Sequence, residues 1–441
     1  MFEEHFAAQF PLDTRKEELE GIISFVSKGN SCQLIGLPGA NRSTTLGLLV
    51  YNKNIRKKYL GELQDTTHFV LIDFSEIRNR PLTDVMKYLF LNLTESLRER
   101  GMMDENKAVG DIFREHLKFQ DEFLLFQGFK EAIDYMTLEK KITVNFLFDR
   151  FEEYIPTVTA DFFANLRILR NRGKYRFSAV FSINRPLEDM LDPDLLADYY
   201  EFVAGRIVKM KLYDKPSSDF WISYISRITH KKISESTVHA IISLTGGHGK
   251  LTKLSLEAVL AQKKNEDNLE EFLLVQKTVK KSLTEIWQSF SPAEQADLIE
   301  EKFDEPSVVE YLEQVGVLAN GKIQIPLFSS FITSEFKDTH ALQKISYDEH
   351  TQTIRKGHSI LSDQLTSSEF RLLQYLLQNE SRVIERDELI TVVWGDNKST
   401  AGITDQAVDQ LVFRLRRKIE EDANHPQHLQ TVKGRGFTFS S

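Results

Sequence analysis

The sequence predicts a multidomain chain in which an α/β domain with a parallel sheet is followed by helical segments and then by a smaller α+β domain. Three observations carry this expectation. Up to about residue 215, short apolar runs at 32–36, 69–74, 142–149, 177–183 and 202–212 alternate with amphipathic stretches rich in Leu, Glu, Lys and Arg. Strands spaced so widely need crossover connections, so they pair in parallel with helices on both faces. Beyond Lys215 the strand-like runs stop, and 217–263 reads as helix broken at Gly246-Gly247-His248-Gly249. From Ile345 the texture changes again, to short alternating strands, three helices and a closing hairpin at 433–439. In between, 282–333 reads as short helices, a hairpin at Asn320-Gly321 and an apolar run at 323–328; an Asn-Gly pair between apolar runs favours such a hairpin. The expected domains are 1–215, 216–284, 285–341 and 342–441.

Length and composition set the outer limits. At 441 residues the chain accommodates two to four domains, with cores large enough to need no disulfide or metal staples. The single cysteine, Cys32, excludes a disulfide framework and a cysteine-cluster zinc site, and fits a reducing cytoplasmic setting. The opening residues lack a basic segment followed by a long apolar one, so no secretory leader is expected, and no apolar run reaches membrane-spanning length. The net charge of −9, from 56 Lys+Arg against 65 Asp+Glu, argues against a protein that coats nucleic acid indiscriminately. That charge is unevenly divided: residues 341–441 carry 13 Lys+Arg and 14 Asp+Glu, a net of −1, leaving −8 on the rest. Within 410–418 there are four basic residues and no acidic one, so a local basic face survives the overall acidity.

The first motif that carries chemistry is Gly36-Leu37-Pro38-Gly39-Ala40-Asn41-Arg42-Ser43-Thr44, between an apolar run at 33–35 and a helical stretch with Leu46, Leu48 and Leu49. Its spacing is that of a phosphate loop, G-x4-G-K-[ST], in the strand-to-helix context the motif requires. In such a loop backbone N–H groups and the helix N-terminus surround the phosphates, a lysine reaches the terminal ones and a hydroxyl binds magnesium. Two positions depart. Asn41 replaces the second glycine, which is tolerable because Asn adopts positive φ more readily than most residues. Arg42 replaces the lysine, keeping the charge but not the compact ammonium. An ordinary Gly-rich turn stays open as the alternative for the motif alone. Two strand ends favour the phosphate loop. The run 142–149 ends in Asp149, placed to orient magnesium with Ser43, and the run 177–183 leads into Asn184-Arg185, where Arg185 can sense a terminal phosphate.

On these residues the first 340 positions resemble the STAND-like branch of P-loop NTPases, related to AAA+ proteins. Arg15-Lys16-Glu17-Glu18-Leu19 is similar to the family's N-terminal block. Leu244-Thr245-Gly246-Gly247-His248-Gly249 is similar to its lid motif, without the proline expected after His248. The segment 285–335, with Ser291-Pro292-Ala293-Glu294-Gln295 and the hairpin between Gly316 and Gly321, resembles the small winged helix that follows the helical lid. The resemblance implies a site for ATP or ADP with magnesium at Gly36, Gly39, Asn41, Arg42, Ser43, Thr44, Asp149, Arg185 and His248, with Ser43 and Asp149 as the metal positions. In the family an acidic residue generally follows the magnesium-orienting aspartate and polarises water. Here that position is Arg150, which stays protonated and cannot serve as a general base; Glu152 and Glu153 come later. Weak or absent hydrolysis is therefore expected, with a loop retained purely as scaffold as the alternative.

The C-terminal motifs are denser. The run from Leu365 to Leu373 opens a helix with Thr366 as cap and Glu369 three residues on, a capping box. Residues 382–390 with Val393-Trp394-Gly395 form a second helix and its end, and 406–419 a third. In the third, Val408, Leu411, Val412, Leu415 and Ile419 recur at helical spacing and pack inward. The opposite face carries Gln406, Gln410, Phe413 and Arg417, flanked by Asp409 and Arg414. Residues 431–439 then form a hairpin whose glycines permit a tight tip with Lys433 and Arg435. His425 and His428 read as loop residues rather than as a metal pair.

These blocks closely resemble the DNA-binding effector domain of OmpR/PhoB-type response regulators over about 345–441. The resemblance implies a short N-terminal sheet, a three-helix core whose third helix enters the major groove, and a C-terminal wing at the adjacent minor groove. Carried over by position, Gln406, Asp409, Gln410, Phe413 and Arg414 face the groove, Arg416 lies toward phosphate, Arg417 belongs to the same DNA-binding set, and Lys433 and Arg435 sit in the wing. Arg414 suits a guanine, since its fork matches O6 and N7. Phe413 suits a thymine methyl, or else marks a surface covered by another domain. No receiver domain is recognisable, so the input is not expected to be aspartyl phosphorylation. The sequence thus points to a cytoplasmic transcription regulator that binds double-stranded DNA under control of a STAND-like module. RNA polymerase and further copies on DNA are its expected partners, and no membrane is expected. The alternatives are an active STAND- or AAA+-like NTPase that uses DNA only for localisation, and a scaffold whose winged helices mediate protein contacts.

Overall fold

The computed structural model describes residues 5–118, 121–192, 195–203, 205–261, 268–337, 344–349, 351–357, 359–395, 405–420 and 422–440. The expected boundary at 341/342 and the end of the stretch 217–263 lie outside them. The chain divides into two compact units, Met1–Phe290 with Phe303–Ser329, and Ser291–Lys302 with Ser330–Ser441. The segment expected at 285–341 contributes to both.

In the larger unit β1 (Cys32–Ile35), β2 (Thr67–Asp73), β3 (Thr143–Asp149), β4 (Phe177–Ile183) and β5 (Ile207–Lys209) form one sheet in the order β2-β3-β4-β1-β5. Every pairing is parallel. β1 and β4 are buried along their whole length, as strands covered by helices on both faces must be. Because all five run one way, their C-terminal ends gather at one edge. There Asp149 lies in register with Asp73, and Ile183 with Ile35, the residue before the loop glycine Gly36. β1 lies between β4 and β5, so the loop that follows it emerges inside the sheet rather than at its border. Ligands of open α/β sheets bind at such edges.

The fifth strand is shorter than expected. Phe202 ends the helix Leu196–Phe202, Gly205 takes φ +71°, and only Ile207–Lys209 pairs with β1. Phe202 and Val203 are fully buried all the same, so their apolarity reports burial and not strand geometry.

The helical segment after β5 holds Lys215–Thr229, Glu235–Thr245 and Gly249–Ala261. Asp214 and Ser234 cap the first two by accepting from the N–H groups of Ser217 and Thr237. Gly246 and Gly247, at φ +58° and +74°, end the second helix, the usual role of glycine in a left-handed C-terminal cap. A Cβ on Gly246 would lie 2.2 Å from the Gln324 carbonyl oxygen, so the position also needs glycine for space. The Asn320-Gly321 turn joins β6 (Leu318–Ala319) to β7 (Lys322–Ile323) as an antiparallel hairpin, with both turn residues at positive φ.

The C-terminal part of the smaller unit is a winged helix. β8 (Ile345–Asp348), β9 (Thr353–Lys356) and β10 (Ser359–Ile360) form an antiparallel sheet. The helices Ser367–Gln378, Arg386–Trp394 and Asp405–Ile419 follow, and β11 (Leu429–Val432) pairs antiparallel with β12 (Gly436–Phe439) as the wing. The capping box forms as the sequence predicts: Glu369 N–H donates to Thr366 Oγ1 while Thr366 N–H donates to the Glu369 carboxylate. Val408, Leu411, Val412, Leu415 and Ile419 are all buried in one core with Leu372, Leu376 and Phe437. Each such side chain contributes roughly 1.5–3 kcal/mol of burial, which sets the rotation of the third helix about its axis.

Candidate functional site

The rotation fixed by that core leaves one face of Asp405–Ile419 in solvent. Gln406, Asp409, Gln410, Phe413, Arg414 and Arg417 are exposed there; Phe413 keeps 49% of its surface accessible, unusual for so large an apolar ring. Asp409, Gln410, Phe413 and Arg414 line one shallow recess. The wing adds two exposed cations, Lys433 and Arg435, in a turn closed by Arg435 N–H donating to Val432 O. Gly436 holds the wing close to the body. At φ +141°, a Cβ on it would lie 2.1 Å from the Ile384 carbonyl oxygen, and Ile384 forms a β-bridge to Phe437.

Arg416 differs from its neighbours. Its Nε donates to Leu429 O at 2.8 Å and one Nη to Thr431 Oγ1 at 2.9 Å. It therefore ties the third helix to the first wing strand. Arg386, which the sequence reading did not single out, pairs with Asp409 at 3.1 Å and stacks over Phe437 at 5.0 Å. Asp409, an acidic group on the exposed face, is thus held by a cation of the preceding helix. Glu369 is equally central: its carboxylate, almost fully buried, receives Lys418 Nζ at 2.5 Å and lies 3.8 Å from Arg414 Nε. Burial pushes its pKa up, but hydrogen bonds from Lys418 and Thr366 outweigh that and hold it below the usual carboxylate range.

In the larger unit the loop 36–44 stands between β1 and the helix Arg42–Tyr51, with Asn41 at φ +68° as its N-cap. Asn41 thus takes the left-handed conformation that the motif's glycine would supply. Gly36 is required by space, since a Cβ there would lie 2.6 Å from Met210 Cβ. Arg42 is nearly buried, and its guanidinium forks the Glu152 carboxylate, Nη2 to Oε1 at 2.6 Å and Nη1 to Oε2 at 3.4 Å. Asp149 is buried and accepts hydrogen bonds from Ser43 and Ser182. Burial raises its pKa, against the opposing effects of Ser43, Arg42 and Ser182. Ser43 and Asp149, the two expected metal positions, are therefore adjacent. Thr44 lies in the first turn of the same helix. Arg185 stacks 3.8 Å above the Tyr311 ring, and Tyr311 donates its hydroxyl hydrogen to Asn184 O. Arg150, at φ +53°, faces Asp73 at 3.7 Å and Ser75 Oγ, and Glu153 pairs with Arg78.

The turn after Glu235–Thr245 closes over this loop. His248 is fully buried; Leu251 N–H donates to its Nδ1, which leaves Nε2–H to donate to Pro38 O at 3.0 Å. Lys250 N–H donates to Gly39 O at 3.0 Å. Burial, with Lys250 and Arg15 nearby, lowers the His248 pKa to about 4 despite the Pro38 bond, so the ring is neutral at pH 7. A Cβ on Gly249 would lie 2.1 Å from Asn41 Nδ2, so a larger residue there would have to displace the Asn41 amide. Arg15, also fully buried, donates to Lys211 O, Ala40 O and Glu18. Tested against a magnesium nucleotide, the residues fit in kind: Ser43 beside Asp149, Arg42 at the loop's cation position, and a helix N-terminus for phosphate oxygens. A small cleft beside the loop, between Arg15, Asn41, Trp221, Gly247 and Gly249, measures about 10 Å³, enough for one water.

Comparison with known proteins bears mainly on the C-terminal segment. Residues 363–439 match the family model described as "Transcriptional regulatory protein, C terminal". The sensory transduction protein RegX3 of Mycolicibacterium smegmatis is 48% identical over 73 residues, 17% of this chain and 31% of that protein. The phosphate regulon transcriptional regulatory protein PhoB of Escherichia coli is 32% identical over 100 residues, 23% of this chain and 41% of that protein. The chain thus spans well under half the length of the curated relatives it matches. Among solved structures, the RstA DNA-binding domain of Klebsiella pneumoniae in complex with the RstA box is 24% identical, covers 22% of this chain and 90% of its own, and has a TM-score of 0.19. A Walker-type ATPase of Pyrococcus abyssi is 15% identical, covers 72% of this chain and 95% of its own, and has a TM-score of 0.47.

Proposed function

We propose that this chain is a sequence-specific DNA-binding transcription regulator whose C-terminal winged helix is controlled by its P-loop-type N-terminal module. The observation that carries the reading is the exposed face of Asp405–Ile419, with Gln406, Gln410, Phe413, Arg414 and Arg417 in solvent opposite a fully buried apolar stripe. A helix rigidly seated on its own core, with polar and basic side chains outward, is what major-groove reading requires. Arg414 reads guanine and Phe413 meets a thymine methyl. Arg417, Lys433 and Arg435 serve the sugar–phosphate backbone, and Arg416 positions the wing that carries the last two. Pairing of copies on repeated sites and contact with RNA polymerase belong to the same reading.

The N-terminal module is the input. ATP or ADP with magnesium is its proposed ligand, held by the backbone of 36–44 with Arg42, Ser43, Thr44 and Asp149, and its phosphates would supply the contacts that bias the module between states. Turnover is not part of the proposal. The residue after Asp149 is Arg150, and the two carboxylates that follow, Glu152 and Glu153, are both ion-paired to arginines. The test is selection of genomic fragments by the purified full chain, repeated with Arg414→Ala and Arg435→Ala. The wild type should enrich a defined sequence and Arg414→Ala should relax it at one position. Unchanged selectivity in both variants refutes the assignment.

A further inference from the structure

The substitution of arginine for lysine at position 42 has a partner. A lysine ammonium is a point charge, whereas a guanidinium presents two parallel N–H groups that match a carboxylate edge. Glu152 supplies that edge, 110 residues away in sequence, with contacts of 2.6 and 3.4 Å. The carboxylate does not sit on a loose loop. Arg150 turns the chain at φ +53° directly after Asp149. Phe151, fully buried, then anchors the following turn between Phe74 and Phe181, with ring centroids at 4.9 Å from both. Glu152, the next residue, is therefore delivered to Arg42 from a rigid base.

We propose that Glu152 acts as a built-in anion that occupies Arg42 in place of a nucleotide phosphate, so that its release is the step that opens the phosphate loop. This rests on the P-loop reading given above and deepens it. The fork uses the Nη1–Nη2 edge of Arg42, and a phosphate on that edge would be repelled by the adjacent carboxylate, so the two compete for it. The turn at 246–250 docks on the same loop through Pro38 and Gly39. Fork and turn thus engage the same loop, and a phosphate at the Nη1–Nη2 edge of Arg42 displaces the fork. A closed state that leaves about a tenth of the molecules competent weakens the apparent affinity about tenfold. Removing the charge on Glu152 while keeping its shape should recover that factor.

The test is calorimetric titration of the full chain with MgADP and with MgATP, for wild type, Glu152→Gln, Glu152→Ala, Arg42→Ala and the Arg42→Ala/Glu152→Gln double variant. Circular dichroism melts check that each is folded. Glu152→Gln and Glu152→Ala should both bind about tenfold tighter or better than wild type, and Glu152→Gln should have no effect once Arg42 is alanine. Equal affinity for wild type and both Glu152 variants, or no binding by any of them, overturns the inference. Selective DNA binding measured on the same preparations separates the two proposals. Its absence in wild type sinks the regulator reading; where it is present, no nucleotide binding by any variant sinks the nucleotide input, and equal binding by wild type and both Glu152 variants sinks only the role of Glu152.

Discussion

Replacing Glu369 with Gln should loosen the DNA-reading unit in a way that can be followed residue by residue. The side chain is 2% exposed and does three things at once: it completes the capping box of Ser367–Gln378, pairs with Lys418, and lies beside Arg414. Glutamine keeps the size and an acceptor for Thr366 N–H but removes the charge. Exchanging a charged hydrogen bond for a neutral one loses about 1–2 kcal/mol, and losing a negative charge at a helix N-terminus adds about 0.3–1 kcal/mol. The expected loss is therefore about 1.3–3 kcal/mol, or a local opening equilibrium roughly 10- to 150-fold larger. Hydrogen exchange of the full chain, read on peptides covering 367–378 and 405–419, measures this directly. The sign with pH is also set. The folded pKa of Glu369 is held below its usual value, so its stabilisation is present above the unfolded pKa and is lost as pH falls through the folded one. Wild-type protection should fall across that acidic window, and the Gln variant should lack this component. Protection at pH 7 within about threefold of wild type would refute the reasoning.

Three further outcomes are expected. Arg414→Ala should cost about 1–3 kcal/mol at one base pair of the selected site, while Arg435→Ala should weaken all sequences alike and lower the salt slope by about one, both read by titration at several salt concentrations. Arg416→Ala should increase hydrogen exchange in 429–432, because the bonds to Leu429 and Thr431 are lost; an effect on DNA affinity with no change in exchange would contradict its role as a strut. For His248 the folded pKa of about 4 lies below the usual 6.5. Its contribution is complete above pH 6.5 and is lost as pH falls toward 4. Exchange in 246–251 should rise over that interval in wild type and stay level in His248→Gln.

Much of the fold was legible because it rests on short-range patterns. The apolar runs that became β1 to β4 announce burial on both faces. The Thr366–Glu369 spacing is one helical turn, and the stripe from Val408 to Ile419 repeats with the helix. The fifth strand misled for the same reason: Phe202 and Val203 carry the apolarity of the core without its geometry, and Gly205 breaks the run. At the loop 36–44 the spacing disclosed the motif and its two departures, but not what Arg42 does.

What the sequence by itself determined is therefore the order of the elements and the identity of the side chains at the C-terminal edge of the sheet and on the outer face of the third C-terminal helix. These follow from periods of two, three or four residues that burial imposes on a local chain. Only the tertiary structure decided the partners: Glu152 on Arg42, Arg386 on Asp409, Lys418 on Glu369, Arg15 on the carbonyl of Lys211 196 residues away. Such pairs leave no periodic trace, because a charge is satisfied by any opposite charge the fold brings near. Which one arrives depends on how the whole sheet and core close around it.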